Sequence, residues 1–459
     1  MNRNENKLGS APVGKLLFQL ALPAIAAQIV NLLYNLVDRI YIGHIPGTGA
    51  MALTGLGISF PIIILIAAFA SLFGFGGAPR ASIEMGRGNQ EKAEEIMGNS
   101  FCALVLTGML LTVVFSVFCD SLLYLFGASE STILYASGYL HVYVLGSVFV
   151  LITTGMNAFI TSQGFAKTAM LTTLIGAGLN ILLDPLFIFG FQMGVQGAAL
   201  ATIASQAVSA IWVTAFLSGK KTLLKLRRKN LRIRPSVIGP IMALGVSPFI
   251  MQSTESLISV CFNTSLLKYG GDMAVGSMTI LASVMQAAML PLQGLTQGMQ
   301  PIVSFNYGAK KMERVRKAFL LTLISCLTYT TAIWLAVEIK PELFARIFTP
   351  DQELIAYCAW ALRVYLGATC LFGAQIACQQ TFVSLGKAVH SLFLAVLRKI
   401  ILLIPLIYIL PCFFTDKVFA VFLAEPIADF LAVASTVTLF AFTIGKLFRT
   451  EKQQAEGNE

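Results

Sequence analysis

Apolar residues in this chain do not alternate with polar ones at the strand period. They run on for twenty or more positions at a time. Twelve such runs lie near 16–42, 51–75, 95–118, 132–157, 164–190, 193–217, 238–267, 273–298, 315–337, 352–378, 386–411 and 417–445. A helix needs roughly 20 apolar residues to cross the hydrocarbon of a bilayer. The pattern therefore predicts an all-α polytopic membrane protein with twelve transmembrane helices. The first run is too long for a leader-peptide core and no A-x-A site follows it, so it is read as a retained first span.

The polar interruptions are as informative as the runs. Of the 32 lysines and arginines, 24 fall in the N-terminal segment, the C-terminal segment and the alternate loops on that side, eight of them in the stretch 220–234. The opposite loops hold only Lys268, Lys340, Arg346 and Lys417. Basic residues mark cytoplasmic loops, so both termini are expected in the cytoplasm. The run "KKTLLKLRRKNLRIRP" is read as an orientation-setting loop that also meets anionic lipid, not as a nucleic-acid surface. Composition agrees: with 56% hydrophobic and 12% charged residues, a water-soluble domain would expose too much apolar surface. Eight cysteines without a C-x-x-C pair argue against disulfides and a zinc site.

The basic loop also divides two similar halves. At an offset of 222, "GFGGAPRASIEMGRGNQEKA" (74–93) lies on "TQGMQPIVSFNYGAKKMERV" (296–315), pairing Pro79 with Pro301, Gly86 with Gly308 and Glu91 with Glu313. The same offset pairs Phe126, Tyr135 and Tyr143 with Phe348, Tyr357 and Tyr365. Six spans per repeat give both halves one orientation, so the chain is expected to form two six-helix lobes related by a pseudo-two-fold along the membrane normal. The expected divisions are an N-terminal lobe (1–217), a basic cytoplasmic linker (218–237), a C-terminal lobe (238–445) and a cytoplasmic tail (446–459). Alternating-access transport is the function such a duplication suits best.

What one half carries and the other lacks is less needed for the shared scaffold. Asp38 falls opposite Asn263, Asn180 and Asp184 opposite Ile400 and Ile404, Tyr34 opposite Ser259, and Tyr139 opposite Ala361. At a rise of about 1.5 Å per residue, Asp184 sits roughly 25 Å above the entry of span five, and Tyr139 and Thr202 about 10–12 Å below the opposite surface. Asp38 ends span one at the same level. Asn180 and Asp184 share a helix face, as do Tyr34 and Asp38. Carboxylates at membrane depth need a partner, a cation or water, and two together cannot comfortably both ionise unless a cation joins them. The cluster reads as a proton or cation site. A plain bridge from Asp38 to Arg39 is poor, because adjacent helical residues diverge by about 100°. Pro185, directly after Asp184, weakens the helix at this level.

Three segments carry a resemblance: "YNLVDRIYIGHIPG" (34–47), "LNILLDPLFIFGFQMGVQGAALAT" (179–202) and "GMQPIVSFNYGA" (298–309). They resemble the bacterial multidrug and toxic compound extrusion family, and most closely its small-cation drug exporters from low-GC Gram-positive bacteria. The resemblance implies a secondary antiporter of the bacterial cell membrane that expels cationic, amphiphilic compounds against an inward flow of protons or sodium. It also implies a coupling site at Asp38, Asn180, Asp184, Tyr139 and Thr202, with Tyr34 lining the same pocket. A bound sodium ion would lie among Asp38, Asn180, Asp184 and Thr202. Another branch of the family places a sodium site in the other lobe; Glu255 matches its helix-seven glutamate, but span ten supplies no carboxylate beyond its outer entrance.

The C-terminal half holds Arg363, Arg398, Lys399, Glu425 and Asp429, expected with Glu255 to neutralise one another. His141 is expected to hydrogen-bond between helices. A methionine-bearing span eight suits an adaptable cavity, which makes Gln252, Glu255, Met285, Gln286 and Met289 the candidate drug contacts. The expected partners are drug-like organic cations and lipid, with no nucleic acid, no cofactor beyond the coupling ion, and a monomeric state. No enzyme is expected: "GFGGAP" lacks the lysine of a phosphate loop. The rival readings are a flippase for lipid-linked oligosaccharides, favoured by Arg363, Arg398 and Lys399, and a channel or membrane scaffold.

Overall fold

The computed structural model describes residues 5–456, with side chains described for 7–445, and all of its regular elements are helical. Arg3 and the side chains of the expected tail 446–459 lie outside the described residues. The crossings are α1 (Val13–Gly43), α2 (Gly49–Gly86), α3 (Gln90–Leu125), α4 (Ile133–Leu145 with Ser147–Ser162), α5 (Ala166–Pro185, continued by the π-helical turn Leu186–Gly190) and α6 (Gly194–Ser218). Next come α7 and α8, which share the run Pro235–Gly308, then α9 (Met312–Ile339) and α10 (Gln352–Tyr365 with Thr369–Ser384). Two more follow, α11 (Ala388–Val396, the π-helical Leu397–Leu403 and Ile404–Ile409) and α12 (Lys417–Glu456). Gly271 separates α7 from α8 with φ 64° and ψ −160°, a conformation that suits glycine alone. Counting that run as two crossings and each bent pair as one gives the twelve helices that the apolar pattern requires.

Two features escape the pattern. α4 and α10, at equivalent places in the repeat, bend by 58° and 50°. Also, α2 continues to Gly86 although its apolar run ends near 75, and α8 continues to Gly308 although its run ends near 298. The extra turns are rich in small residues, and packing against the other lobe takes the place of lipid contact. A Cβ on Gly86 would stand 2.0 Å from the Phe305 carbonyl oxygen, and one on Gly308 2.0 Å from that of Ile83. Gly76 meets the backbone of Ile241 and Gly245, while its repeat partner Gly298 meets that of Ala21. Each half thus lays equivalent glycines against the other's backbone.

This seam lies on the side that carries the two termini and most of the basic residues, hereafter the basic side. One apolar core runs through the N-terminal lobe and crosses the seam at Leu292, Met299, Ile302 and Phe305. A second core, from Ile258 to Ala428, belongs to the C-terminal lobe alone. The lobes are therefore fused at the basic side and packed separately toward the other. Lipid contact is left to large apolar side chains such as Val117, Leu125, Leu182 and Ile211, which remain about 70% exposed.

The linker between α6 and α7 is strapped to the N-terminal lobe. Arg227 pairs with Glu94 at 2.7 Å, Lys229 with Glu91 at 2.7 Å, and Arg234 with Glu95. Gln163 Oε1 accepts hydrogen bonds from the backbone N–H groups of Leu223 and Leu224. Part of this loop's charge is thus answered by protein acids, where the sequence suggested lipid.

Candidate functional site

The six polar residues singled out in the N-terminal half converge on one point in its interior. α1 brings Tyr34 and Asp38 on one face, α4 brings Tyr139, α5 brings Asn180 and Asp184, and α6 brings Thr202. Asp38 is 7% exposed and Asp184 fully buried, with Asn180, Thr202 and Tyr139 buried beside them. Asn180 Nδ2 donates to Asp184 Oδ1 at 3.2 Å and to Thr202 Oγ1 at 3.3 Å. Tyr34 and Tyr139 are close neighbours of Thr202. Tyr139 also stacks on Tyr143, ring centroids 6.0 Å apart.

The two carboxyl groups are immediate neighbours. Asp38 and Asp184 stand within hydrogen-bonding reach, while Arg39 turns away to sit 5.3 Å over the Phe60 ring. Asp38 Oδ1, Asp184 Oδ2, Asn180 Oδ1 and Ser205 Oγ find no hydrogen-bond partner among the described residues. Buried polar atoms are ordinarily satisfied, and all four here are oxygens. That donor set fits a hard cation or a shared proton and offers nothing to a soft metal. Neither carboxylate is ion-paired to a basic side chain among the described residues, and two carboxylates this close repel each other unless a proton or a cation joins them.

Next to the cluster lies a cavity of about 180 Å³, lined by Gln28, Asn31, Thr173, Gln206 and Gln300 among others. It reaches from Tyr34, Asn180 and Thr202 toward Thr161 and Ala166 near the basic side. At roughly 30 Å³ per molecule there is room for several waters. Immediately beyond Asp184, Pro185 has no N–H to donate, and the helix widens into the π-turn Leu186–Gly190. The sequence signalled the proline but not the π-turn.

The candidate drug contacts do not join this cavity. Gln252, Glu255, Met285, Gln286 and Met289 all lie on α7 and α8, and none lines it. Met285 packs on the C-terminal core and Met289 on the shared one. Lys399 donates to Glu255, so that carboxylate already has a cation.

The C-terminal charges pair as a network with one exception. Arg398 reaches Asp429 at 2.7 Å and Glu425 at 3.0 Å, with its guanidinium 4.5 Å from the centre of the Phe372 ring. Arg363 stands apart and donates to the Glu338 carbonyl at 3.2 Å, because its position on α10 faces outward. His141 also departs from expectation. Its Nδ1 lies 3.0 Å from Ser137 Oγ, one turn back on its own helix, and no hydrogen bond from its ring to a second helix is found among the described residues. Sequence spacing also hid a gathering of Cys119, Asp120 and His141, whose ligand atoms lie within 4.8 Å of one another. All eight cysteines are free.

Comparison with known proteins agrees with this architecture. The MatE family model matches twice, over residues 23–186 and 248–409, once in each half. The multidrug export protein MepA of Staphylococcus haemolyticus is 23% identical over 421 residues, which cover 91% of this chain and 92% of that protein. MepA of Staphylococcus aureus strain NCTC 8325 is 24% identical over 431 residues, 92% of this chain and 93% of its own length. Among solved structures, the MATE multidrug transporter DinF-BH is 37% identical with a TM-score of 0.88, covering 96% of this chain and 98% of that one. A MATE crystal structure in the bent conformation gives a TM-score of 0.91 at 23% identity, over 98% and 99% of the two chains. With both halves matched and the twelve-helix, two-lobe fold in common, this chain belongs to the MatE family of multidrug and toxic compound extrusion transporters.

Proposed function

We propose that this transporter exports cationic, amphiphilic compounds in exchange for protons or sodium ions by alternating access, with Asp38 and Asp184 as the coupling acids. The observation that carries the reading is the contact between two buried carboxyl groups that have no basic side chain between them. One proton lets either acid donate to the other and holds α1 against α5. Without it, two negative charges face each other in a medium that solvates them poorly, and the helices separate unless a cation intervenes. A sodium ion, when bound, supplies the same charge compensation; Asp38, Asn180, Asp184 and Thr202 are the residues that would hold it. The π-turn after Pro185 places a soft point in α5 at this level.

The basic side is the cytoplasmic face in this reading, and the cavity beside the acids leads toward it. The likeness to DinF-BH, a multidrug transporter, makes a drug-like organic cation a suitable probe of substrate class. Efflux of ethidium from proteoliposomes under an imposed pH gradient, or separately an imposed sodium gradient, tests the proposal. Export driven by one gradient names the coupling ion. Absence of export under both, with translocation of a lipid-linked sugar instead, favours the flippase. That rival draws on Arg363, Arg398 and Lys399; the last two are committed to acids of their own lobe, and Arg363 donates to the Glu338 carbonyl.

A further inference from the structure

A second cavity, of about 220 Å³, opens at the basic side where the two lobes meet. Its N-terminal wall is the end of α2, with Arg80, Ile83, Glu84 and Arg87. Its C-terminal wall is Tyr307 of α8 and the turn Leu385–Lys387 between α10 and α11. That turn depends on Gly386, whose φ of +70° a residue with a Cβ rarely adopts, and it sits against Ile83 of the other lobe. The cavity therefore has both its walls only while the seam is closed.

Charge in this cavity is out of balance. Glu84 is the one acid in the lining, and it is already held by Arg87 at 2.8 Å and Lys92 at 3.2 Å. Arg80, one turn back on α2 and half-buried, makes no hydrogen bond or ion pair among the described residues. The ammonium of Lys387 likewise has no partner among them. A guanidinium presents five donors in a planar fork and an ammonium presents three. Glu84 attracts Arg80 but is already bound by two other bases, so two partly exposed cations stand in a lining that also holds Tyr307, a setting that suits an anion with several oxygens.

We propose that this inter-lobe cavity binds a phosphate group, with Arg80 and Lys387 as its principal cations and Tyr307 as a neutral donor, and that occupancy holds the basic side shut. The phosphate of an anionic lipid in the adjoining leaflet and soluble inorganic phosphate share the chemistry. The placement at the membrane surface rests on the reading of the basic side as cytoplasmic, where anionic headgroups concentrate. Arg87 already binds Glu84, so it contributes field more than contact.

The test is thermal protection of the purified protein in a neutral detergent. Short-chain phosphatidylglycerol, short-chain phosphatidylcholine and sodium phosphate are titrated separately, against wild type, Arg80→Gln and Lys387→Gln. Neither drug nor gradient is present, so the result does not depend on the transport reading. Removal of one of two phosphate-binding cations should weaken half-maximal protection about tenfold. Protection by phosphatidylglycerol alone, weakened in both variants, supports the site with lipid as the source; equal protection by sodium phosphate, weakened in the same way, supports it with the soluble anion. If Arg80→Gln does not fold, Lys387→Gln, on a partly exposed turn, carries the comparison alone. Protection that is equal in wild type and Lys387→Gln, or no greater with phosphatidylglycerol and phosphate than with phosphatidylcholine, overturns the proposal.

Discussion

The two lobes answer the same physical problem, charge inside a bilayer, in opposite ways. In the C-terminal lobe, Arg398 bridges Asp429 and Glu425 while Lys399 holds Glu255, so every acid is paired with a base, two of them sharing one. In the N-terminal lobe, Asp38 and Asp184 face each other and Arg39 is stacked elsewhere. A network that carries its own counterions has little to gain from an ion that comes and goes. A pair that lacks them is the one that the proposed coupling would have take up a proton or a cation. Duplication supplied one scaffold, and in the proposed reading the missing bases make one copy the site that responds to ions outside the protein.

Removing one charge from each lobe should separate the two solutions most sharply. Arg398→Met leaves two buried carboxylates without a partner and should cost about 3–5 kcal/mol, read as a large loss of thermal stability in detergent. Restoring neutrality with Glu425→Gln and Asp429→Asn in the same chain should recover most of that loss. A smaller effect is expected at the seam that both lobes share. Gly308→Ala pushes a methyl group toward the Ile83 carbonyl and should cost about 1–3 kcal/mol of the closed arrangement. Its readout is raised labelling of single cysteines placed along the basic side of the seam; unchanged labelling would mean that the lobes are not held there. The smallest change is expected in the N-terminal lobe. Asp184→Asn strands no base and keeps an oxygen for Asn180 to donate to, so it should shift stability by about 1 kcal/mol or less at neutral pH. A loss as large as that of Arg398→Met would place Asp184 in a structural network after all.

The contrast also marks how much the sequence discloses. The twelve apolar runs, the 222-residue offset and the one-sided acids could all be read from it, because hydrocarbon thickness and helical rise convert spacing directly into depth. Partner choice could not. Glu425 and Asp429 announce a shared face by their spacing of four, but nothing in the chain says that Arg398 meets them and Arg363 does not. The bends in α4 and α10 fall within apolar stretches whose composition hardly changes at the break. The overlong ends of α2 and α8 were hidden because a hydropathy window stops where lipid contact stops. There the helix continues on the backbone of the other lobe, a partner more than 200 residues away.

The most direct test of the coupling role is ion-driven export by Asp184→Asn. Wild type and variant are reconstituted side by side, ethidium binding is measured at equilibrium, and efflux is then started with the gradient that drives the wild type. If the acid pair couples transport, the variant binds ethidium within a few-fold of wild type and its gradient-driven export falls to the level of empty liposomes. Export by the variant at the wild-type rate would contradict that role, and would move the coupling site away from the contact between Asp38 and Asp184.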